Sequence, residues 1–127
     1  VDSSTIPDDV RRFILQCVPS VPYLEAITLM SANPGAAWDA PRLAQRLYLD
    51  DKRAAVLLNQ LRAGGIARQD ADGRWLYDPA SPELAELLRR LVDVYSRNLI
   101  EVSTLVHSKS NRKARLFADA FIWRKDE

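Results

Sequence analysis

The side chains best equipped for recognition in this sequence are cationic, and they fall in three short stretches. Lys52 and Arg53 are adjacent, and Asn59 follows about two helical turns later if the stretch is helical. Lysine and arginine can meet phosphate oxygens or a guanine edge, and an asparagine amide matches the donor and acceptor of adenine. Arg68 and Arg74 flank Asp70-Ala71-Asp72-Gly73. Lys109, Arg112, Lys113 and Arg115 make the most basic run, free of acidic residues, which reads either as a phosphate-contacting segment or as a solvated helix start. Covalent chemistry has less to work with. His107 is the sole histidine and lies beside Ser108 and Lys109, where an interaction with helix-terminal carbonyls accounts for it better than metal ligation. No Ser, His and acid grouping has the spacing of a nucleophilic site, and no glycine loop suited to phosphate occurs. The expectation is a non-catalytic protein with no metal and no cofactor.

Composition sets the frame for those groups. The chain has 127 residues, 47% apolar and 28% charged, enough to bury a core without disulfides and far from a disordered composition. The net charge of +1 carries no polyanion signal of its own, so any nucleic-acid case rests on how charge is distributed. Cys17 is the single cysteine, which excludes an intramolecular disulfide; a buried free thiol in a reducing cytoplasm is the simplest reading. No apolar run reaches the ~20 residues of a membrane span, and no leader segment is visible, so a soluble cytoplasmic location is expected.

The elements that would position the cations follow from periodicity and punctuation. Val10, Phe13, Ile14 and Cys17 recur at helical spacing after Asp8-Asp9, giving a short N-terminal helix closed by Pro19-Ser20-Val21-Pro22. Leu24, Ile27, Leu29 and Met30 give a largely buried second helix ending near Asn33-Pro34-Gly35. Asp39 caps a third helix with Leu43, Ala44 and Leu47 inward, and Asp50 caps a fourth whose stripe is Ala54, Leu57, Leu58 and Leu61, ended by Gly64-Gly65. Ile66 to Gln69 and Arg74 to Tyr77 form a hairpin around an Asp-Gly turn. Ser81-Pro82-Glu83 then opens an unbroken helix from Leu84 to Val106, about 25 residues and about 37 Å long. Its apolar positions cover two faces, one for the core and one for a symmetric dimer, unless the N- and C-terminal helices fold back over the second. Leu116, Phe117, Ala120, Phe121 and Trp123 make an amphipathic end that would dock on the core, a second subunit or a partner.

Helix, short helix, tight turn, helix, Gly-Gly and hairpin is the order of a helix-turn-helix with a wing. Leu43-Ala44-Gln45-Arg46-Leu47-Tyr48-Leu49-Asp50 resembles the second helix and turn of MarR-like winged-helix regulators, and Leu57-Leu58, Leu61 and Gly65-Ile66 resemble their recognition helix and its exit into the wing. The resemblance covers residues Pro22 to Asp78, and a long helix after the wing also fits these regulators, which often dimerise through one. The fold class expected is mainly α with a small β-hairpin. Residues 1–21 form an arm and helix, 22–78 a winged helix, 79–108 a packing or dimerising helix, and 109–127 a basic amphipathic segment.

What the resemblance implies is a homodimeric transcriptional regulator binding double-stranded DNA. Lys52, Arg53 and Asn59 would face the major groove, Arg68 and Arg74 the flanking backbone, and Lys109 and Arg112 further phosphates. Ala55 and Val56 offer apolar contact only. Against this, residues 50–78 hold five basic and five acidic side chains. Asp50, Asp51, Asp70 and Asp72 on the presumed DNA face leave open a second reading, a winged helix that binds a protein as a regulatory adaptor.

Overall fold

A computed structural model describes residues 6–108. It is mainly helical with one small two-stranded antiparallel sheet. The elements are α1 (Asp8–Cys17), α2 (Val21–Ala32), α3 (Ala40–Leu47), α4 (Asp51–Ala63), β1 (Ala67–Gln69), β2 (Trp75–Tyr77) and α5 (Pro82–Arg97), followed by a further helical stretch, α6, over 99–108. Among the described residues no single helix is long and apolar enough to cross a membrane.

The helix boundaries have local causes. Asp8 and Asp9 occupy the first turn of α1, where carboxylates meet the positive end of the helix dipole. Asp39 Oδ1 accepts from the Arg42 amide at 2.8 Å, Asp50 Oδ1 from the Arg53 amide at 2.7 Å, and Ser81 Oγ from the Leu84 amide at 3.1 Å. Each side chain satisfies one of the donors that a helix start leaves unpaired. Prolines stand in the first turns of α2, α3 and α5, where the missing N–H costs nothing.

The core gathers around α2, which buries Tyr23, Leu24, Ala26, Ile27 and Met30 and touches α3, α4, α5 and β2. α4 contributes Ala54, Leu57, Leu58 and Leu61, and α5 contributes Leu88, Leu91, Val94 and Tyr95. Leu58 and Leu61 are fully buried, each contributing on the order of 2 kcal/mol of transfer free energy. Trp38 is also fully buried, and its backbone forms an isolated bridge to Trp75, with N–H to carbonyl distances of 2.8 Å in both directions. The segment before α3 thereby extends the hairpin sheet by one residue.

Two expectations are corrected. The helix from Leu84 to Val106 is not continuous: α5 ends at Arg97, and Asn98 leaves helical geometry with φ −134° and ψ 51°. Its side-chain amide and its backbone N–H both donate to the Val94 carbonyl, which closes the turn that a further helical residue would have extended. The redirected chain then buries Val102 and Val106 and leaves Leu99 and Ile100 exposed, so part of the second apolar face is covered within the chain. Cys17 is likewise exposed and not buried. Val10, Ile14 and Val18 take the core-facing row of α1 at i, i+4, i+8, and Cys17 is turned aside into a surface cleft beside Phe13, Tyr23 and Gly64. Lys109, Arg112 and the amphipathic segment 109–127 lie outside the described residues.

Candidate binding surface on α4 and the hairpin

The approach to α4 is set by the turn before it. α3 ends on Tyr48 in the left-handed region, φ 59° and ψ 43°, and both the Tyr48 and Leu49 amides donate to the Ala44 carbonyl, the latter at 2.9 Å. Asp50 then starts α4 at once. α3 and α4 pack closely on each other, with Leu43 and Ala44 of α3 and Leu57, Leu58 and Leu61 of α4 all buried. The opposite side of α4 is consequently uncovered: Lys52, Arg53, Val56 and Asn59 are exposed, and Ala55 is half-buried. Three of the expected recognition residues are thus brought onto one helix face. Asn59 donates to the Ala55 carbonyl of its own helix at 3.0 Å, so a base contact would require that bond to be exchanged.

At the far end, Gly64 and Gly65 turn the chain into the hairpin. Gly65 has φ +75°, and a Cβ on Gly64 would lie 2.7 Å from the buried Tyr23 hydroxyl. Burial pushes the Tyr23 phenol up to about 12, so it stays protonated at any physiological pH. The hairpin pairs Ala67 with Tyr77, Arg68 with Leu76 and Gln69 with Trp75. At its tip Asp70 Oδ1 accepts from the amides of Asp72 and Arg74, both at 2.9 Å, and Gly73 takes φ +81°. Asp70 therefore builds the turn, as Asp50 builds the helix start; neither carboxylate is a free surface charge placed only to repel phosphate.

The arginines differ from one another in ways their spacing does not reveal. Arg68 is held by Asp78 at 2.6 Å, and Arg53 has Asp50 at 3.9 Å, both pairs being solvent-exposed and worth little. Lys52 and Arg74 have no ion-pair partner among the described residues. Arg42 lies over the Trp38 ring at 4.5 Å and Arg62 over the Trp75 ring at 5.7 Å, so these two cations cover aromatic core residues from outside.

Two features of this surface were missed from the sequence. Tyr48 is 95% exposed, and its left-handed backbone puts an aromatic ring at the α3–α4 corner. The second is a groove of about 400 Å³ beside α4, lined by Pro22, Leu49, Val56 and Leu57 together with Lys52 and Arg53. Apolar residues at 49 and 56 bracketing the cations at 52 and 53, at helical spacing, are the signal that could have found it. Among the described residues no cluster of His, Cys, Asp and Glu is arranged to hold a metal ion. No protein-family model matches the sequence, and no curated protein matches it.

Proposed function

We propose that the chain is a non-catalytic winged-helix module that binds double-stranded DNA through α4, acting as a cytoplasmic, homodimeric transcriptional regulator of MarR-like type. One observation carries the reading: α4 is held from behind by α3 and leads into a hairpin, while its first turns present Lys52, Arg53, Val56 and Asn59 to solvent. In this reading Lys52 and Arg53 enter the major groove, and Arg74, with Arg68 once released from Asp78, contacts the flanking backbone. Exposed Leu99 and Ile100 at the start of α6 support a contact between two copies.

The test is fluorescence anisotropy with random and genomic duplexes over a range of salt. With the two backbone contacts of Arg68 and Arg74, log K should fall against log salt with a slope of about −1.8 or steeper per protomer. The double change Lys52→Glu/Arg53→Glu should remove the binding. Absence of salt-sensitive binding by the native chain sinks the reading. A second reading, a winged helix that binds protein, is favoured by the acidic residues Asp51 and Asp72 on the same surface and by the apolar groove along α4.

A further inference from the structure

The groove beside α4 has a chemistry of its own. Both charged side chains lining it, Lys52 and Arg53, are cations. The neighbouring carboxylates are directed elsewhere: Asp50 accepts from the Arg53 amide, and Asp51 does not line the groove. Pro22, Leu49, Val56 and Leu57 give the same groove an apolar lining, and Val56 is 54% exposed on a helix whose other side is well packed. Pro22 is shared with a second depression, lined by Glu25, Arg46, Leu47 and Tyr48. Tyr48 extends the strip with an almost fully exposed ring carried on a left-handed backbone, a conformation that costs a non-glycine residue energy and here gains no packing.

Phosphate could meet the two cations but has nothing to place on an apolar floor of this size. An isolated apolar ligand would leave the cations unused. We propose that the groove receives an acidic amphipathic segment of a partner protein, with apolar side chains seated over Leu49, Val56 and Leu57 and carboxylates on Lys52 and Arg53. Amphipathic segments dock in apolar grooves through anchors at helical spacing, and exposed Tyr and Arg residues are the side chains most often dominant at such contacts. Since α4 has one outward face, the segment and DNA exclude each other. This exclusion rests on the DNA reading above; the docking itself does not.

The test uses the 127-residue chain, isotope-labelled for amide NMR, and synthetic helical peptides of equal length. One carries Leu anchors at i, i+3, i+4 and i+7 with Glu at the flanking positions, one replaces the Leu by Ser, and one replaces the Glu by Lys. The first peptide alone should move the amides of Lys52, Arg53, Val56 and Gln60. Val56→Glu should weaken it about tenfold or more, and Val56→Ala by less, with both variants keeping the native melting temperature because the site is exposed. Equal binding by the Ser peptide, or shifts confined to Leu99 and Ile100, would overturn the proposal. So would movement of the groove amides on simple concentration, which places a second copy there, or on Phe117→Ala/Phe121→Ala, which places the chain's own C-terminal segment there. A labelled duplex separates the two readings: peptide binding without DNA binding leaves the docking in place and removes the DNA reading. If both bind and neither displaces the other, the shared surface is refuted.

Discussion

Asp50 does two jobs of opposite sign, and substitution can separate them. Its Oδ1 accepts from the Arg53 amide at 2.7 Å, which caps α4, while its charge stands at the helix end that would approach phosphate. Asp50→Ala removes both cap and charge. Loss of an N-cap costs about 1 kcal/mol, and loss of a carboxylate at the positive end of the dipole adds about 0.3–0.5 kcal/mol. The ion pair to Arg53, at 3.9 Å and two-thirds or more exposed on both sides, adds nothing worth counting. At about 4 °C per kcal/mol for a domain of this size, the melting temperature should drop by about 5 °C. Asp50→Asn keeps an oxygen acceptor of equal capping strength and loses only the charge, so the drop should be about 2 °C or less. For DNA the loss of charge acts with the opposite sign. Removing a unit negative charge about 8 Å from a phosphate in water is worth about 0.5 kcal/mol, so Asp50→Asn should bind duplex about twofold more tightly at low salt, the gain fading as salt rises. Thermal melts and anisotropy on the two variants check this together. Equal melting temperatures for Ala and Asn would refute the capping role, and weaker DNA binding by Asn would refute the placement of Asp50 beside phosphate.

Leu58→Ala, at a fully buried position between α4 and the rest of the core, should cost about 3 kcal/mol in urea unfolding, the sum of lost transfer energy and a cavity. Gly65→Ala and Gly73→Ala both place a Cβ on a positive-φ residue, at about 1 kcal/mol each; Gly65 should lose more, because its Cβ would also stand 3.3 Å from that of Ala80, whereas nothing lies within 4 Å at Gly73. Tyr48→Gly should raise the melting temperature by about 2–4 °C, since relief of the left-handed strain exceeds the added chain entropy, while weakening peptide docking. The hydrogen bond from Arg90 on α5 holds the Asp9 carboxyl of α1 below its ordinary 3.8, so its contribution is complete above that pH and is lost as pH falls through the depressed value. Melts across the acid range should therefore show a shallower decline for Asp9→Asn than for the native chain below about pH 3.8.

Elements with local chemical causes were readable from the sequence. Asp39, Asp50 and Ser81 cap the helices assigned to them, Gly64-Gly65 ends α4, and the Asp-Gly pair makes the hairpin turn. These signals involve residues a few positions apart and need no knowledge of the rest of the chain. The break at Asn98 was not readable in this way. An asparagine inside an otherwise apolar-periodic stretch is compatible with helix, and here the interruption serves the burial of Val102 and Val106. Cys17 illustrates the same limit: Val18, one position later, completes an i, i+4, i+8 row as well as Cys17 completes an i, i+3, i+7 row, and only the packed neighbours choose between them. At the binding surface, the identity of the exposed cations was visible, but their pairing was not. That Arg68 meets Asp78 depends on hairpin register, and that Arg42 and Arg62 lie over Trp38 and Trp75 depends on where those rings are buried.

The contact between α1 and α5 joins groups 81 positions apart, Asp9 and Arg90. On a ribosome adding roughly 5–20 residues per second, about 4–16 s separate the synthesis of one from that of the other. α1 is thus complete well before the helix that covers part of its apolar row, and that part stays open while α2, α3, α4 and the hairpin are made. A nascent chain of this design leaves part of the apolar row of a short amphipathic helix uncovered for several seconds. A permuted order that placed α1 after α5 would shorten that interval, at the cost of the direct connection between α1 and α2.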